Sequence, residues 1–302
     1  MMLRSIALAL VALAAQEKPK VEQTGTPRRF LAADYQKKIL AIVGKDGAIE
    51  WQHPIRDIHD AWVLENGNVL LQESWTRIVE LTPDKKTAWS YDAAKMNGNE
   101  GRKVEVHAFQ RLPGGVTMIA ESGPARILEV DRDGKVLKEV KLKVDKPHPH
   151  RDTRNARKLA GGGYLVCHEG DAKVREYDPD GKVVWEHDVK SAVYAALRLP
   201  GGNTLISCGD GHRVIEVDPS GKEVWAVGKN DLPGITLGWM TQVERLPNGN
   251  TMMVNCHAGP DNPQLIEVTP EKKVVWTYRD FVNFGNALPV AQTLDDPART
   301  IR

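Results

Sequence analysis

DPDGKVVWEHD (178–188) carries two conflicting signals. The Asp-x-Asp-Gly opening reads like the start of a calcium loop, and the Lys-Val-Val-Trp tail reads like a buried strand. A helix–loop–helix calcium site needs a closing Glu at its twelfth position. Counted from Asp178, that position is Val189, which has no side-chain oxygen. The stretch is therefore read as one copy of a structural unit, and other copies recur along the chain: GKDGAIEWQHP (44–54), TPDKKTAWSYD (82–92), DRDGKVLKEVK (131–141), DPSGKEVWAVG (218–228) and TPEKKVVWTYR (269–279). The Trp position holds Trp51, Trp89, Lys138, Trp185, Trp225 and Trp276, at steps of 38, 49, 47, 40 and 51 residues.

A second motif interleaves with the first. LENGNVLLQES (64–74), LPGGVTMIAES (112–122), LAGGGYLVCHE (159–169), LPGGNTLISCG (199–209) and LPNGNTMMVNC (246–256) each place a Gly turn before an apolar strand. Such turns supply the positive φ of tight hairpins. A third segment is β-branched and carries Glu80, Glu129, Glu176, Glu216 or Glu267; only the first copy lacks this Glu. Each repeat then holds four strands. Strand A precedes the Gly turn, B follows it, C carries the Glu and D carries the Trp. Four short strands per 40–50 residues are the signature of a propeller blade. The first copy lacks strand A, and NALPVAQTLD (286–295) is a leftover strand able to supply it. The expected fold is all-β: a six-bladed β-propeller whose C-terminal strand completes the first blade and removes open edges.

The Asp-x-x-Gly-Lys-x-x-Trp repeat resembles that of quinoprotein-type (pyrroloquinoline-quinone-like) β-propellers, where the Trp docks adjacent blades. The resemblance covers nearly all of the mature chain. Quinone-dependent members usually have eight blades, and many carry adjacent cysteines beneath the quinone. This chain has six repeat copies and no adjacent cysteines, so pyrroloquinoline quinone is not an expected cofactor. HDAWVLENGNVLL (59–71) also resembles the His-Asp strand leading into an Asn-Gly turn of arylsulfotransferase-type propellers.

The 302 residues carry 41 Lys+Arg against 40 Asp+Glu, a balance that argues against nucleic acid or acidic lipid as partner. The N-terminus, MMLRSIALALVALAAQEKPK, has a positive n-region at Arg4, a short apolar core and an Ala12-Leu13-Ala14 cleavage pattern. A bilayer span takes about 20 apolar residues, more than this core offers. The expectation is a signal peptide over 1–14, a loose lead-in over 15–28 and a propeller over 29–302, secreted or periplasmic. Cys167, Cys208 and Cys256 form no CxxC and read as three half-buried thiols; the sequence does not choose a disulfide pair.

In a propeller blade the A–B and C–D hairpins emerge on one face, and the D–A and B–C connections on the other. Seven of the nine His map to the second face. Counting eight residues back from each repeat Gly, to the channel-facing start of strand A, gives His59, His107, Arg154, Tyr194 and Thr241. Six residues after the same Gly come Glu73, Glu121, His168, Cys208 and Asn255, with Glu169, Asp210 and His257 close by. Trp75 and Trp239 fall outside the repeat and are expected near the same face. The His148-Pro149-His150-Arg151-Asp152 loop reads either as a metal cluster or as a surface loop. No HExxH, Walker loop or GxSxG occurs.

Two classes of function stay open. One is a non-catalytic module that binds a small polar or anionic ligand, or a protein, through the His-rich mouth of the channel. The ligand-binding candidates are Glu73, Glu121, Arg154, His168, Tyr194, Asp210, Thr241 and His257. The other is a channel enzyme: an arylsulfotransferase-like group transfer with His59 or His107 as nucleophile or acid/base and Arg154 stabilising negative charge, or a metal-assisted hydrolase using His with Glu73 or Glu121.

Overall fold

Six antiparallel sheets follow one another in chain order, and each is a blade. A computed structural model describes residues 21–302; the signal segment expected over 1–14 lies outside the described residues. In the first blade the C-terminal strand Val290–Thr293 pairs with Phe30–Asp34, as the missing strand A required. The lead-in is a correction. Glu22–Gly25 is ordered as a fifth strand on the outside of the sixth blade, paired with Val274–Arg279. Both ends of the described chain thus clasp the same seam from opposite sides. No helix among the described residues is long and apolar enough to cross a membrane.

The core lies between blades. Six clusters of buried apolar side chains each join two successive sheets. One pairs Leu31, Leu40 and Val290 with Val69, Leu71 and Val79, and the last closes the ring through Phe30, Trp276 and Tyr278. Burying the faces of all six sheets is what holds the ring together.

The repeat residues finish the seams at the hairpin-turn face. Trp51, Trp89, Trp185 and Trp225 donate their indole N–H to the backbone carbonyl of the second turn residue in the next blade: Pro83, Arg132, Pro219 and Pro270, at 2.7–3.1 Å. Trp276 differs. Its indole donates to Gln23 Oε1 at 2.8 Å, and Gln23 Nε2 donates to the Lys45 carbonyl at 3.1 Å. The N-terminal strand therefore inserts an amide relay into the closing seam.

The repeat Glu has an equally regular partner. Glu80 pairs with Arg111, Glu129 with Lys158, Glu176 with Arg198, Glu216 with Arg245 and Glu267 with Arg28, always across a seam. Four of these bases stand four residues before the repeat Gly. Where the first blade has Ile42 instead of Glu, that partner position holds Val63, and the two join one apolar cluster. A charged pair has been replaced by an apolar pair on both sides of the seam. Asn68, Asn203 and Asn250 add a 2.7 Å hydrogen bond to the same carboxylates.

The opening Asp of the turn is also accounted for. Asp178 Oδ1 accepts the backbone N–H of Asp180 at 3.0 Å and of Lys182 at 2.9 Å. Asp131 and Asp218 repeat the arrangement. These carboxylates fold the turn back on itself, with Gly181 at φ +89° completing it.

Candidate functional site

His59, His107, Arg154 and Tyr194 come from four different blades and meet at the channel. The His59 and His107 ring centroids are 4.6 Å apart, and His59 lies 6.1 Å from Tyr194. Arg154 Nη1 donates to His59 Nε2 at 2.6 Å, and its guanidinium sits 5.8 Å over the Tyr194 ring. All four are buried and form a floor. Half-buried side chains rise around them. Trp75 lies 5.1 Å from both His59 and His150; Trp239 lies 5.4 Å from Tyr194 and stacks on His257 at 5.9 Å. Tyr35 closes this side, its hydroxyl 2.7 Å from His257 Nε2.

Local backbone features aim these groups. His107 is the extra residue of a β-bulge, since Val106 and Ala108 pair with the adjacent residues Glu121 and Ala120. A bulge re-aims a side chain that regular alternation would send elsewhere. Trp75 is fixed by its carbonyl, which accepts the Val106 N–H at 2.7 Å. His59 is held through its N–H on Gln72 Oε1 at 2.8 Å, and its carbonyl accepts from Tyr194 and Gln242, both at 3.3 Å. Deeper in the channel, Asp60 accepts from Arg157 at 2.8 Å and Gln242 at 3.1 Å, and Arg302 lies 3.6 Å away.

Several anticipated residues lie apart from the cluster. Glu121 turns into the seam between the second and third blades, bound by Tyr91, Asn99 and Arg126. His168 turns into the next seam, with Nδ1 2.6 Å from the Asp152 carbonyl and Nε2 2.9 Å from the Tyr177 hydroxyl. Glu73 pairs with Arg77, and Asp210 ties its loop to the neighbouring one by accepting the Ala192 N–H at 2.8 Å. Thr241 is buried with its hydroxyl unpaired. The metal-assisted reading through Glu73 or Glu121 therefore has the wrong carboxylates. The carboxylates that do reach the histidines and Arg154 are Glu105 and Glu169. Cys167, Cys208 and Cys256 are free thiols, more deeply buried than anticipated.

Glu105, His107 and His150 form a group whose potential ligand atoms lie within 4.8 Å of one another. Sequence reasoning passed over Glu105. The available signal was the closeness of Glu105 to His107 in sequence, two ionisable side chains at the start of one strand.

The electrostatics favour neutral rings. Burial holds His59 well below the usual histidine range, and the charge of Arg154 pushes the same way. Burial brings His107 down to about 4 against the pull of Glu105. Burial alone would raise Glu105, but hydrogen bonds with His107 and His150 bring it down to about 2. With Arg154 donating to its Nε2, neutral His59 carries its proton on Nδ1, an atom with no partner. His59 thus has no free basic nitrogen in this arrangement.

Two concavities open elsewhere. A groove of about 790 Å³ runs over the hairpin-turn face past Glu65, Asn66, Pro113 and Arg132. A smaller one of about 170 Å³ lies beside Trp62, Gln292 and Arg302. The first is lined by turn residues and a seam pair and the second by residues near the C-terminus, so the convergent chemistry marks the channel mouth as the candidate site.

Residues 37–258 match the family described as Mal s 1 allergenic protein-like. Curated proteins give no match. Among solved structures, a protein of unknown function from Bacteroides caccae is 26% identical with a TM-score of 0.77, covering 89% of this chain and 99% of that one. A streptogramin B lyase is 10% identical with a TM-score of 0.60, over 91% of this chain and 98% of its own. A virginiamycin B lyase from Staphylococcus aureus is 11% identical with a TM-score of 0.57, over 85% of this chain and 87% of its own. At such identity the lyases share the propeller fold and nothing further is carried over. With the match spanning most of the ring, the chain belongs to the Mal s 1 allergenic protein-like family.

Proposed function

We propose that this propeller is a secreted or periplasmic binding module that takes a small anionic ligand with a flat apolar body at the channel mouth. One observation carries the reading: Arg154, the His59 Nδ1–H and Tyr194 converge on a buried floor beneath the indoles of Trp75 and Trp239. Buried donors orient an anionic head, and aromatic walls bury a flat body. The apolar N-terminal segment with its Ala12-Leu13-Ala14 pattern supports export. The Asp-x-x-Gly-Lys-x-x-Trp turns support a kinship of the repeat with quinoprotein-like propellers. Engagement of the His59 Nε2 lone pair by Arg154 speaks for binding over nucleophilic catalysis.

4-Nitrophenyl phosphate and 4-nitrophenyl sulfate test this. The expected result is saturable quenching of tryptophan fluorescence with no release of nitrophenolate, lost in Arg154→Gln and weakened in His59→Ala. Nitrophenolate release that disappears in His59→Ala would establish the enzyme reading instead. No response to either probe, or equal quenching in both variants, would overturn the proposed ligand and its place.

A further inference from the structure

The contacts of His107 do not balance with the protons available. Its Nδ1 lies 3.1 Å from the Thr153 carbonyl and its Nε2 lies 2.8 Å from Glu105 Oε2, so both nitrogens face acceptors. A neutral imidazole has one N–H. One contact is therefore acceptor against acceptor unless the ring is protonated or a cation lies between. The same Glu105 oxygen also faces His150 Nδ1 at 2.6 Å. Two imidazole nitrogens, one from a strand and one from a loop, are thus turned onto one carboxylate oxygen.

We propose that Glu105, His107 and His150 bind one divalent transition-metal ion, of which Zn²⁺ is the representative. Two imidazoles and a carboxylate suit zinc and its neighbours, whereas calcium and magnesium favour all-oxygen shells. Metal–nitrogen bonds of about 2.0–2.1 Å require the three ligand atoms to open by roughly half an ångström. His150 stands on the His148–Asp152 loop and can supply that movement. The Thr153 carbonyl receives the His107 Nδ1–H and fixes the tautomer that offers Nε2 to the metal. Three protein ligands leave a coordination position open. The metal site uses atoms that the proposed anion contacts do not, so either assignment can fail without the other.

The test is titration of ZnSO₄ into tag-free, chelator-treated protein by calorimetry, with no organic ligand present. One equivalent should bind with sub-micromolar Kd, and Co²⁺ should give the intense visible bands of a four-coordinate site. His150→Ala should weaken binding by roughly 100-fold or more. This side chain is partly exposed, so its loss should leave the fold intact. His212→Ala, which removes a histidine bonded to the Gly238 carbonyl, should change nothing. Absence of stoichiometric uptake by the wild type, or unchanged affinity in His150→Ala, would overturn the site.

Discussion

On the hairpin-turn face, four indoles reach the same carbonyl in the next blade, and a fifth reaches it through Gln23. On the opposite face, the position eight residues before each repeat Gly holds His59, His107, Arg154, Tyr194 and Thr241. The first face repeats because each seam poses the same packing problem. The second varies because the ring poses no common problem there. Sequence regularity therefore marks what holds the blades together, and its loss marks where blades have been freed for chemistry.

Substitutions should sort by face. The largest expected effect is Trp276→Ala, which empties the closing seam beside Phe30 and Tyr278 and orphans the Gln23 relay. A loss of about 3–5 kcal/mol is expected from urea unfolding. Next comes Glu216→Ile, which leaves Arg245 and Asn203 without their acceptor, at about 2 kcal/mol. Adding Arg245→Val copies the Ile42–Val63 seam and should recover at least half of that loss. If the double variant is no better than the single one, the seam pairs are not interchangeable units.

Acid should attack the same face. Burial would raise Glu80, but hydrogen bonds from Asn68 and Arg132 and the charge of Arg111 hold it below the usual carboxylate range. Burial is likewise outweighed at Glu129 by Lys158 and Tyr164. A carboxylate depressed by folding contributes stability above its unfolded pKa of about 4.3, and this is lost as pH falls through the folded value. Thermal unfolding midpoints should drop below about pH 4.5, less steeply in Glu80→Gln. The smallest effect is at the mouth: His150→Ala should shift stability by no more than about 0.5 kcal/mol while removing metal uptake.

How much of this was legible follows the same division. Blade number, strand assignment and ring closure could be read because the Gly turn, Glu and Trp recur in fixed order. The outer strand Glu22–Gly25 could not, because EQTG has no repeat counterpart and forms only against Trp276. His59, His107 and Arg154 were found by their register within the repeat, and Trp75 and Trp239 by lying outside it. Glu121 and His168 fit the same counting but turn into seams, since their orientation depends on Arg126 and Tyr177 across the sheet. Glu105 and Tyr35 escaped because the first depends on a bulge at His107 and the second on contact across the ring.

The most direct discriminator between the two faces is where a metal lodges. The acidic turns, such as Asp178-Pro179-Asp180-Gly181, spend their leading carboxylates on backbone N–H groups, whereas Glu105 shares one oxygen between two imidazoles. Anomalous diffraction at the zinc edge from crystals of zinc-loaded protein should show one principal peak bounded by Glu105, His107 and His150. A principal peak at Asp178, Asp131 or Asp218 on the turn face, or none at the mouth, would contradict the account.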